Sequence, residues 1–410
     1  MNNVVQTGLG AALALALALL AGAARCEETS VRLGLIDMYS GVFAFQTAQI
    51  RTGFEIALDE ANAAGGVKGR KFELHVADMG TSVEKAITEG RRMIFNDNLH
   101  YVTVGSHAGA ALALAQLIKG RDDVFVLGGI ATSKHFTAEV GGPMIGRANL
   151  STVEMGRILA DYLKTMPEIK SIATIAPDFE YGHDFVDDNV AAIKAARPDI
   201  TVKRQEWPKF GTADFTANVT ALQSNPPDLV VSGLVSGDIT SFLKAAKGFG
   251  LFDGNTRFFN SALDLTKLSA YKDGMPDGSV MTIWYPFYAL NSPENTKFVD
   301  DVQKRTGSYP VGATLVGYIA GKMITEAIRK GGDPDHAKAA SQAMDGLSFT
   351  SPVGPVKVRG CDNVASYNYF LGKVKRSPEF PDGIGLTDVH AYDPSTLQRS
   401  CDEVLKLREH

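Results

Sequence analysis

The feature that most constrains the fold is a regular alternation of apolar runs and helical stretches that begins at residue 31. Residues 31–37 (VRLGLID) predict a strand, and residues 52–64 carry apolar side chains at the i, i+3, i+4 and i+7 spacing of a helix. The alternation continues to residue 260. Strands that alternate with helices of about 10–15 residues form right-handed βαβ units and parallel sheets. Because about ten such strands exceed what one open sheet holds comfortably, the sequence predicts an α/β protein with two doubly wound lobes.

Glycine and proline clusters interrupt this pattern at residues 141–143, 275–278 and 351–355. Such clusters break helices and strands, so we interpret them as the places where the chain passes between the lobes. Three crossings mean that each lobe is built from discontinuous segments.

The first 26 residues have the layout of a secretory signal peptide. Residues 9–21 (LGAALALALALLA) are uncharged, and they are fewer than the roughly 20 needed to span a bilayer. Small residues follow, so cleavage after Ala23, Ala24 or Cys26 is consistent with the pattern, although residues 1–6 lack the usual Lys or Arg. A lipid anchor at Cys26 is disfavoured because Arg25 stands where a small residue is expected. We therefore expect export to the periplasm.

Export bears on the two other cysteines, Cys361 and Cys401. The chain contains three cysteines, too few for a disulfide scaffold. In an oxidising compartment Cys361 and Cys401 are most simply a bonded pair, with two buried free thiols as the alternative. Closing the loop between them would stabilise the fold by about 4 kcal/mol in the chain-entropy model.

Composition and motifs argue against several classes of function. The chain has 41 Lys and Arg against 46 Asp and Glu, a net charge of −5, whereas nucleic-acid binders need a basic face. Its eight histidines are scattered singly, so no metal site is predicted. Residues 317–322 (GYIAGK) lie inside a predicted helix and are not a phosphate-binding loop. Ser106 and His107 lack the Gly-x-Ser-x-Gly elbow of a hydrolase. We therefore expect a binding protein without a cofactor, not an enzyme.

Several segments resemble a known family. Residues 31–41 (VRLGLIDMYSG) and 59–69 (DEANAAGGVKG) are similar to the start of type I periplasmic binding proteins, which include the leucine/isoleucine/valine-binding proteins of ABC importers. Residues 178–182 (DFEYG) and 227–233 also resemble the family, and the likeness extends over residues 31–373. It implies two Rossmann-like lobes joined by three hinge crossovers, with the ligand held in the cleft between them.

The resemblance implies a division of the chain and a function. We expect the following segments: a signal peptide (1–26), a first lobe (31–148 and 280–358), a second lobe (149–279 and 359–376) and a C-terminal extension (377–410). The expected function is the solute receptor of an ABC importer, which passes a small carboxylate ligand to the transmembrane permease subunits. A ligand-sensing clamshell receptor and an exported hydrolase are the alternatives.

The resemblance also implies which residues meet the ligand. In the family the first lobe holds a ligand carboxylate with hydroxyl and backbone N–H groups at strand ends, a chemistry that needs no lysine. The matching stretches here are GSHAGA (105–110) and GIATS (129–133), which contain the candidates His107, Ala108, Gly109, Ile130 and Thr132. Thr132 falls on the family threonine. His107 stands where the family has a serine, either as a replacement donor or as an ordinary loop histidine.

Aromatic candidates come from both lobes. Phe43 and Phe45 fall in the loop that lines the mouth of the cleft in the family, and Tyr181 falls on the aromatic residue of the second lobe that closes over the ligand. Trp284 begins a run of aromatic residues that suits a flat ring.

The residue that would pair with a ligand ammonium departs from the family. Amino-acid binders carry an acidic residue in the stretch that corresponds to FNSALD (259–264), where our alignment places Ala262 or Leu263. Burying an ammonium without a carboxylate partner is costly. Either Asp264 or Asp238 serves instead, or the ligand is an aromatic, amine-free carboxylate.

Overall fold

The structure is a computed structural model that describes residues 30–261, 271–380 and 383–409. The strands are β1 (Ser30–Asp37), β2 (Lys71–Asp78), β3 (Tyr101–Val104), β4 (Phe125–Gly128), β5 (Ile145–Arg147), β6 (Ser171–Ile175), β7 (Thr201–Glu206), β8 (Leu229–Ser232), β9 (Arg257–Asn260), β10 (Val280–Ile283), β11 (Ser348–Ser351), β12 (Gly354–Val358), β13 (Ala365–Ser366), β14 (Tyr369–Arg376) and β15 (Ile384–Tyr392). The helices are α1 (Ala44–Ala63), α2 (Val83–Arg91), α3 (Ala108–Leu117), α4 (Thr152–Leu163), α5 (Glu180–Ala196), α6 (Thr216–Ser224), α7 (Ser236–Gly248), α8 (Pro293–Thr306), α9 (Gly312–Gly331), α10 (Ala337–Met344), α11 (Pro394–Leu397) and α12 (Cys401–Leu407).

Two large sheets form the cores of two lobes. The first sheet has the order β2-β1-β3-β4-β5 and is parallel throughout. The second has the order β15-β14-β10-β9-β8-β6-β7. Its strands β6 to β10 are parallel to one another, whereas β14 and β15 run antiparallel to their neighbours. Strands such as β3, β4 and β8 are buried along their whole length, as expected of parallel strands covered on both faces. The predicted α/β architecture with two doubly wound lobes is confirmed.

Helices α8 to α10 return to the first lobe, where α9 lies against α1. Two glycines allow this close approach. A Cβ on Gly53 of α1 would lie 1.9 Å from the Thr314 carbonyl oxygen, and one on Gly317 of α9 would lie 2.0 Å from the Ile50 carbonyl oxygen. Any side chain larger than hydrogen at either position would therefore push the two helices apart.

The chain crosses between the lobes three times. It leaves the first sheet after β5, leaves the second sheet after β10, and returns to it between β13 and β14. The first and third crossings touch, because the Tyr367 hydroxyl donates to the Ala148 carbonyl oxygen (3.2 Å) and to Asn149 Oδ1 (3.1 Å). Arg147 is buried beside them and donates from Nε to the Asn149 carbonyl oxygen at 2.9 Å. The crossings therefore share one polar hydrogen-bond network.

Strand membership differs from the predicted segments at three places. Residues 280–283 (β10) pair in the second sheet, not the first. Residues 365–366 (β13) pair with β12, and the adjacent Val364 bridges to Arg147 at the edge of the first sheet. Strand β15, within the predicted extension, is an edge strand of the second sheet. The sequence could not show this for β10, because a short buried strand has the same composition in either lobe.

The C-terminal segment touches both lobes. After β15, the Leu397 carbonyl oxygen accepts a hydrogen bond from Arg157 of α4 at 2.8 Å. The guanidinium of Arg408 then donates to carbonyl oxygens of the first lobe, including that of Thr137 at 2.8 Å. Cys361 and Cys401 form the predicted disulfide, with an Sγ–Sγ distance of 2.09 Å.

The predicted signal peptide, residues 1–26, lies outside the described residues. In the part of the chain that the structure does describe, no helix combines the length and the apolarity required to cross a membrane.

Candidate functional site

A cavity of about 590 Å³ lies between the two lobes. Its first wall comes from the carboxyl ends of β1, β3 and β4, and its second from the residues that follow β6, β8 and β10. Ligand sites in parallel α/β sheets occupy this edge, and the volume lies within the range of small-molecule pockets.

The first lobe presents the N-terminus of α3 to the cavity. His107 is the N-cap of this helix, and its Nδ1 accepts a hydrogen bond from the Ala110 N–H at 3.1 Å. Burial lowers the pKa of His107, although the nearby Glu180 carboxylate opposes this. The ring is therefore neutral near pH 7 and carries its proton on Nε2. Ala108 and Gly109 line the cavity, and their N–H groups belong to the first turn, where a helix offers no carbonyl partner.

Ser106 lies beside this helix terminus and also lines the cavity. Its hydroxyl donates to Asp37 Oδ1 at 2.5 Å. Asp37 is 0% exposed, and burial raises its pKa to about 7, although hydrogen bonds from Ser106 and the Met38 N–H oppose the shift. A buried carboxyl group with a pKa raised towards neutrality therefore lies directly behind Ser106, outside the cavity wall.

The second lobe contributes apolar rings and unpaired polar atoms. Tyr181 at the start of α5 is 8% exposed, and Trp284 after β10 is 9% exposed. Among the described residues, Tyr181 Oη, Trp284 Nε1 and Ser236 Oγ are buried without a hydrogen-bond partner. All three residues line the cavity. Buried polar groups normally have partners, so these atoms are suited to a ligand that supplies them.

Three aromatic rings close the mouth of the cavity. Phe43 of the first lobe stacks on Phe210 of the second, with ring centroids 5.4 Å apart. Phe179 meets Phe210 edge-on at 5.8 Å. These rings extend the apolar wall formed by Tyr181 to the surface of the molecule.

The charge of the cavity is negative. Among the described lining residues there is no Lys or Arg, and the carboxylate is that of Glu180. Glu180 Oε1 accepts a hydrogen bond from Ser133 at 3.0 Å, and a Cβ placed on Gly109 would lie 3.8 Å from Glu180 Oε2. The only acid described in the cavity wall therefore lies close to the N-terminus of α3.

Further charges join the lobes next to the cavity. Helix α5 carries Asp184 and Asp188 four and eight residues after Glu180, on one face. Lys134 of the first lobe lies between them, with Nζ 3.3 Å from Asp184 Oδ1 and 3.4 Å from Asp188 Oδ1. The polar contacts of Glu180 are thus part of a larger interface between the lobes.

Eight of the eleven residues predicted from the sequence line the cavity: Phe43, His107, Ala108, Gly109, Ile130, Thr132, Tyr181 and Trp284. Phe45 does not; it is 51% exposed, because two residues along a helix turn the side chain by about 200° away from Phe43. Asp238 is buried elsewhere, and its carboxylate accepts the Gly211 N–H at 3.1 Å. Asp264 lies outside the described residues.

The sequence did not identify several lining residues, among them Ser106, Phe179, Glu180, Phe210 and Ser236. Phe179 and Glu180 fall within the DFEYG motif, so their position next to Tyr181 was the available signal. Phe210 lies in a loop and Ser236 begins α7. Their positions at the cavity depend on the distance between the lobes, which one sequence does not show.

Comparisons with known proteins agree with this architecture. The profile of the family described as "Periplasmic binding protein" matches residues 30–379. The Leu/Ile/Val-binding protein homolog 7 of Brucella melitensis is 27% identical over 343 residues, which cover 80% of this chain and 84% of the relative. Homolog 6 of Brucella abortus is 26% identical over 358 residues, covering 85% and 88%.

Solved structures share the fold at low identity. A solute-binding protein of an ABC transporter from Rhodopseudomonas palustris BisB5, solved with 3,4-dihydroxybenzoic acid, has a TM-score of 0.79 at 21% identity and covers 90% of this chain and 98% of its own. A periplasmic binding protein from Burkholderia mallei has a TM-score of 0.81 at 16% identity, covering 92% and 98%. Since the family profile spans most of the sequence, the two-lobed chain with its interlobe cavity belongs to the periplasmic binding protein family.

Proposed function

We propose that this protein is the periplasmic solute receptor of an ABC importer. It captures a small carboxylate ligand between its lobes and delivers it to the transmembrane permease subunits. The observation that carries the proposal is the cavity of about 590 Å³ between the lobes, whose walls combine helix-terminal N–H groups with aromatic rings. Membership of the periplasmic binding protein family supports the same function.

The hydrogen bonds of Ser106 and His107 support binding of the ligand without a chemical reaction. These two residues are the ones that could be taken for a catalytic nucleophile and base. The Ser106 hydroxyl donates to a buried carboxyl group, Asp37, rather than to a histidine. The neighbouring His107 uses Nδ1 to cap α3. A hydrolase would need the histidine to accept the serine proton, so this pair favours binding.

The ligand carboxylate is proposed to lie at the N-terminus of α3. The N–H groups of Ala108 and Gly109, the Nε2–H of neutral His107 and the hydroxyl of Thr132 are the donors that line this side of the cavity. A helix terminus with unpaired N–H groups and a positive dipole end favours an anion without a lysine or arginine.

The ligand is proposed to be an α-amino acid with an aromatic or large aliphatic side chain. Glu180 supports the amine, because its Oε2 lies close to Gly109 and hence next to the proposed carboxylate site. In an α-amino acid the ammonium and carboxylate are separated by one carbon. This spacing suits a site that favours an anion next to a site that favours a cation. Phe43, Phe210 and Tyr181 would surround the side chain.

An amine-free aromatic acid is the second candidate ligand. The unpaired Tyr181 Oη, Trp284 Nε1 and Ser236 Oγ favour it, since they could bind hydroxyl groups on a ring. Solute-binding proteins of similar fold from Rhodopseudomonas palustris were solved with benzoate and with 4-hydroxybenzoate. Against it stands the Glu180 carboxylate, which repels a second anion.

Isothermal titration calorimetry with a matched set of ligands tests the proposal. L-Phenylalanine and 3-phenylpropanoate differ only in the amine, and 4-hydroxybenzoate represents the aromatic acids. We expect L-phenylalanine to bind at least about tenfold more tightly than 3-phenylpropanoate, because a charge-assisted hydrogen bond contributes about 1.5–3 kcal/mol. Preference for the two amine-free acids would favour the second candidate. Absence of binding across amino acids and aromatic acids would contradict the function.

A further inference from the structure

A buried acid lies directly beneath the cavity and is not among the lining residues. Asp37 ends β1 and is 0% exposed. Its Oδ1 accepts the Ser106 hydroxyl at 2.5 Å and the Met38 N–H at 2.9 Å. Its Oδ2 is buried and, among the described residues, has no hydrogen-bond partner. An unpaired buried carboxylate oxygen is costly, which calls for an explanation in this position.

The chain is shaped to admit this carboxyl group. A Cβ on Gly105 would lie 1.8 Å from Asp37 Oδ2, so only glycine leaves room for the acid between β1 and the loop after β3. The next residue, Ser106, lines the cavity. The Ser106 hydroxyl therefore connects Asp37 directly to the ligand site.

The hydrogen bond from Ser106 to Asp37 determines what Ser106 offers to a ligand. A serine hydroxyl has one proton and two lone pairs. When that proton is donated to Asp37, the oxygen presents only lone pairs to the cavity. A carboxylate accepts hydrogen bonds and cannot donate one, so in this arrangement Ser106 does not stabilise a ligand carboxylate.

We propose that Asp37 is a positioning residue for Ser106 and that it takes up one proton from solvent when a ligand carboxylate occupies the cavity beside Ser106. The acid proton then resides on Oδ1 and is donated to the Ser106 oxygen. The Ser106 hydroxyl rotates and donates to the ligand carboxylate. No other bond forms or breaks. This inference rests on the proposed function, because it requires a carboxylate ligand.

The electrostatic surroundings favour this exchange near neutral pH. Burial raises the pKa of Asp37 to about 7, and the Asp78 carboxylate at the end of β2 adds to the increase. Among the described residues, the Tyr39 phenol after β1 is a further ionisable group close to Asp37. A ligand carboxylate repels the ionised form of Asp37, so it raises the pKa further. Affinity should therefore fall as the pH rises above 7.

Calorimetry in two buffers of different ionisation enthalpy, such as phosphate and Tris, measures the proton uptake. The probe is L-phenylalanine or, if it does not bind, 3-phenylpropanoate. At about pH 7.5 we expect uptake of about half a proton per ligand by the wild type. Asp37→Asn should still bind, because its amide can donate to Ser106, but its uptake should disappear. The control is Asp78→Asn, which neutralises a neighbouring acid but keeps Asp37, and it should retain the proton uptake.

Each outcome separates the inference from the proposed function. Binding heat that does not depend on the buffer would overturn the inference alone, as would undiminished uptake by Asp37→Asn, which would assign the proton to another group such as His107. If Asp37→Asn does not fold, Ser106→Ala is the variant to test. Its proton uptake should be reduced, because Asp37 loses the hydrogen bond that keeps it ionised. Uptake equal to that of the wild type would contradict the inference. Absence of binding by either probe would overturn both proposals.

Discussion

Phe43 and Phe210 stack across the mouth of the cleft, with ring planes inclined by only 6°. Phe43 ends a short helical turn of the first lobe, residues 41–43, and Phe210 lies in the loop after β7 of the second. Because the two rings belong to different lobes, their contact must break when the cleft opens. The pair therefore links the aromatic wall of the cavity to the relative position of the lobes.

Removing one ring of this pair should speed ligand release. Aromatic pairs contribute about 0.5–1.5 kcal/mol beyond the area they bury, so Phe210→Ala should raise the dissociation rate by about 2–10-fold. Phe45→Ala is the matched control, because Phe45 follows Phe43 closely but does not line the cavity. Stopped-flow displacement of bound ligand measures both rates. Equal rates for the two variants would show that the stacked pair does not hold the cleft closed.

Neutralising Glu180 should discriminate between ligand classes. Glu180→Gln should weaken the binding of L-phenylalanine by about 10–100-fold, the value of a hydrogen bond to a charged group, and leave 3-phenylpropanoate unchanged or bound more tightly. Asp178→Asn is the control, because Asp178 is close in sequence, pairs with His183 at 2.9 Å and does not line the cavity. Titration calorimetry gives both affinities. Equal losses for both ligands would contradict the pairing of Glu180 with an amine.

The disulfide should stabilise the fold. Cys361 and Cys401 are separated by 40 residues in sequence, and a loop of this length corresponds to about 4 kcal/mol in the chain-entropy model. The double variant Cys361→Ser and Cys401→Ser should therefore unfold at a lower temperature than the oxidised wild type. Reduced wild type should unfold at the same temperature as the variant. Differential scanning calorimetry of the three samples checks this, and equal unfolding temperatures for variant and oxidised wild type would contradict it.

Asp37 should make the free energy of unfolding depend on pH. Its pKa in the folded protein is about 7, raised from an ordinary value of 3.8. The folded state therefore holds this proton more tightly than the unfolded state. Its contribution to stability is full below about pH 4 and is lost as the pH rises to about 7, at up to about 1.4 kcal/mol per pH unit.

Urea unfolding at about pH 4.5 and about pH 7 measures this dependence. The wild type should lose more stability across this range than Asp37→Asn, which has no proton to lose at this position. Asp78→Asn keeps Asp37, so it should lose more stability than Asp37→Asn, but less than the wild type because the Asp78 charge helps to raise the pKa of Asp37. A smaller loss of stability in the wild type than in Asp37→Asn would contradict this prediction and show that the folded protein stabilises the ionised form of Asp37.

Much of the fold follows from periodicity, whereas the exact lobe boundaries do not. The alternation of apolar strands and helices predicts the parallel strands of both sheets, because the helical and strand periods are local properties of the chain. The predicted segments place β10 in the first lobe, yet it pairs with β9 and β14 of the second sheet. Pairing is a long-range contact, and the four residues VMTI contain no signal that distinguishes the two sheets.

Some residues of the candidate site could likewise be predicted from the sequence, and others could not. His107 and Thr132 could be predicted because the stretches GSHAGA (105–110) and GIATS (129–133) resemble the carboxylate-binding segments of the family. In the structure both residues follow strands of the first sheet and line the cavity. Asp238 could not be excluded, because its partner Gly211 is 27 residues away in sequence. Glu180 could not be predicted for a different reason. The sequence places it next to Tyr181, but only the packing of the second lobe against the first brings it to α3.

Small-angle X-ray scattering with and without ligand tests the central claim, capture of a ligand between two hinged lobes. A ligand that touches both lobes shifts the population towards the closed form. We predict that saturating ligand reduces the radius of gyration while the far-UV circular dichroism stays unchanged, because hinge closure moves the lobes without altering their secondary structure. A radius of gyration that stays constant at demonstrated saturation would contradict the account and indicate a rigid binding module.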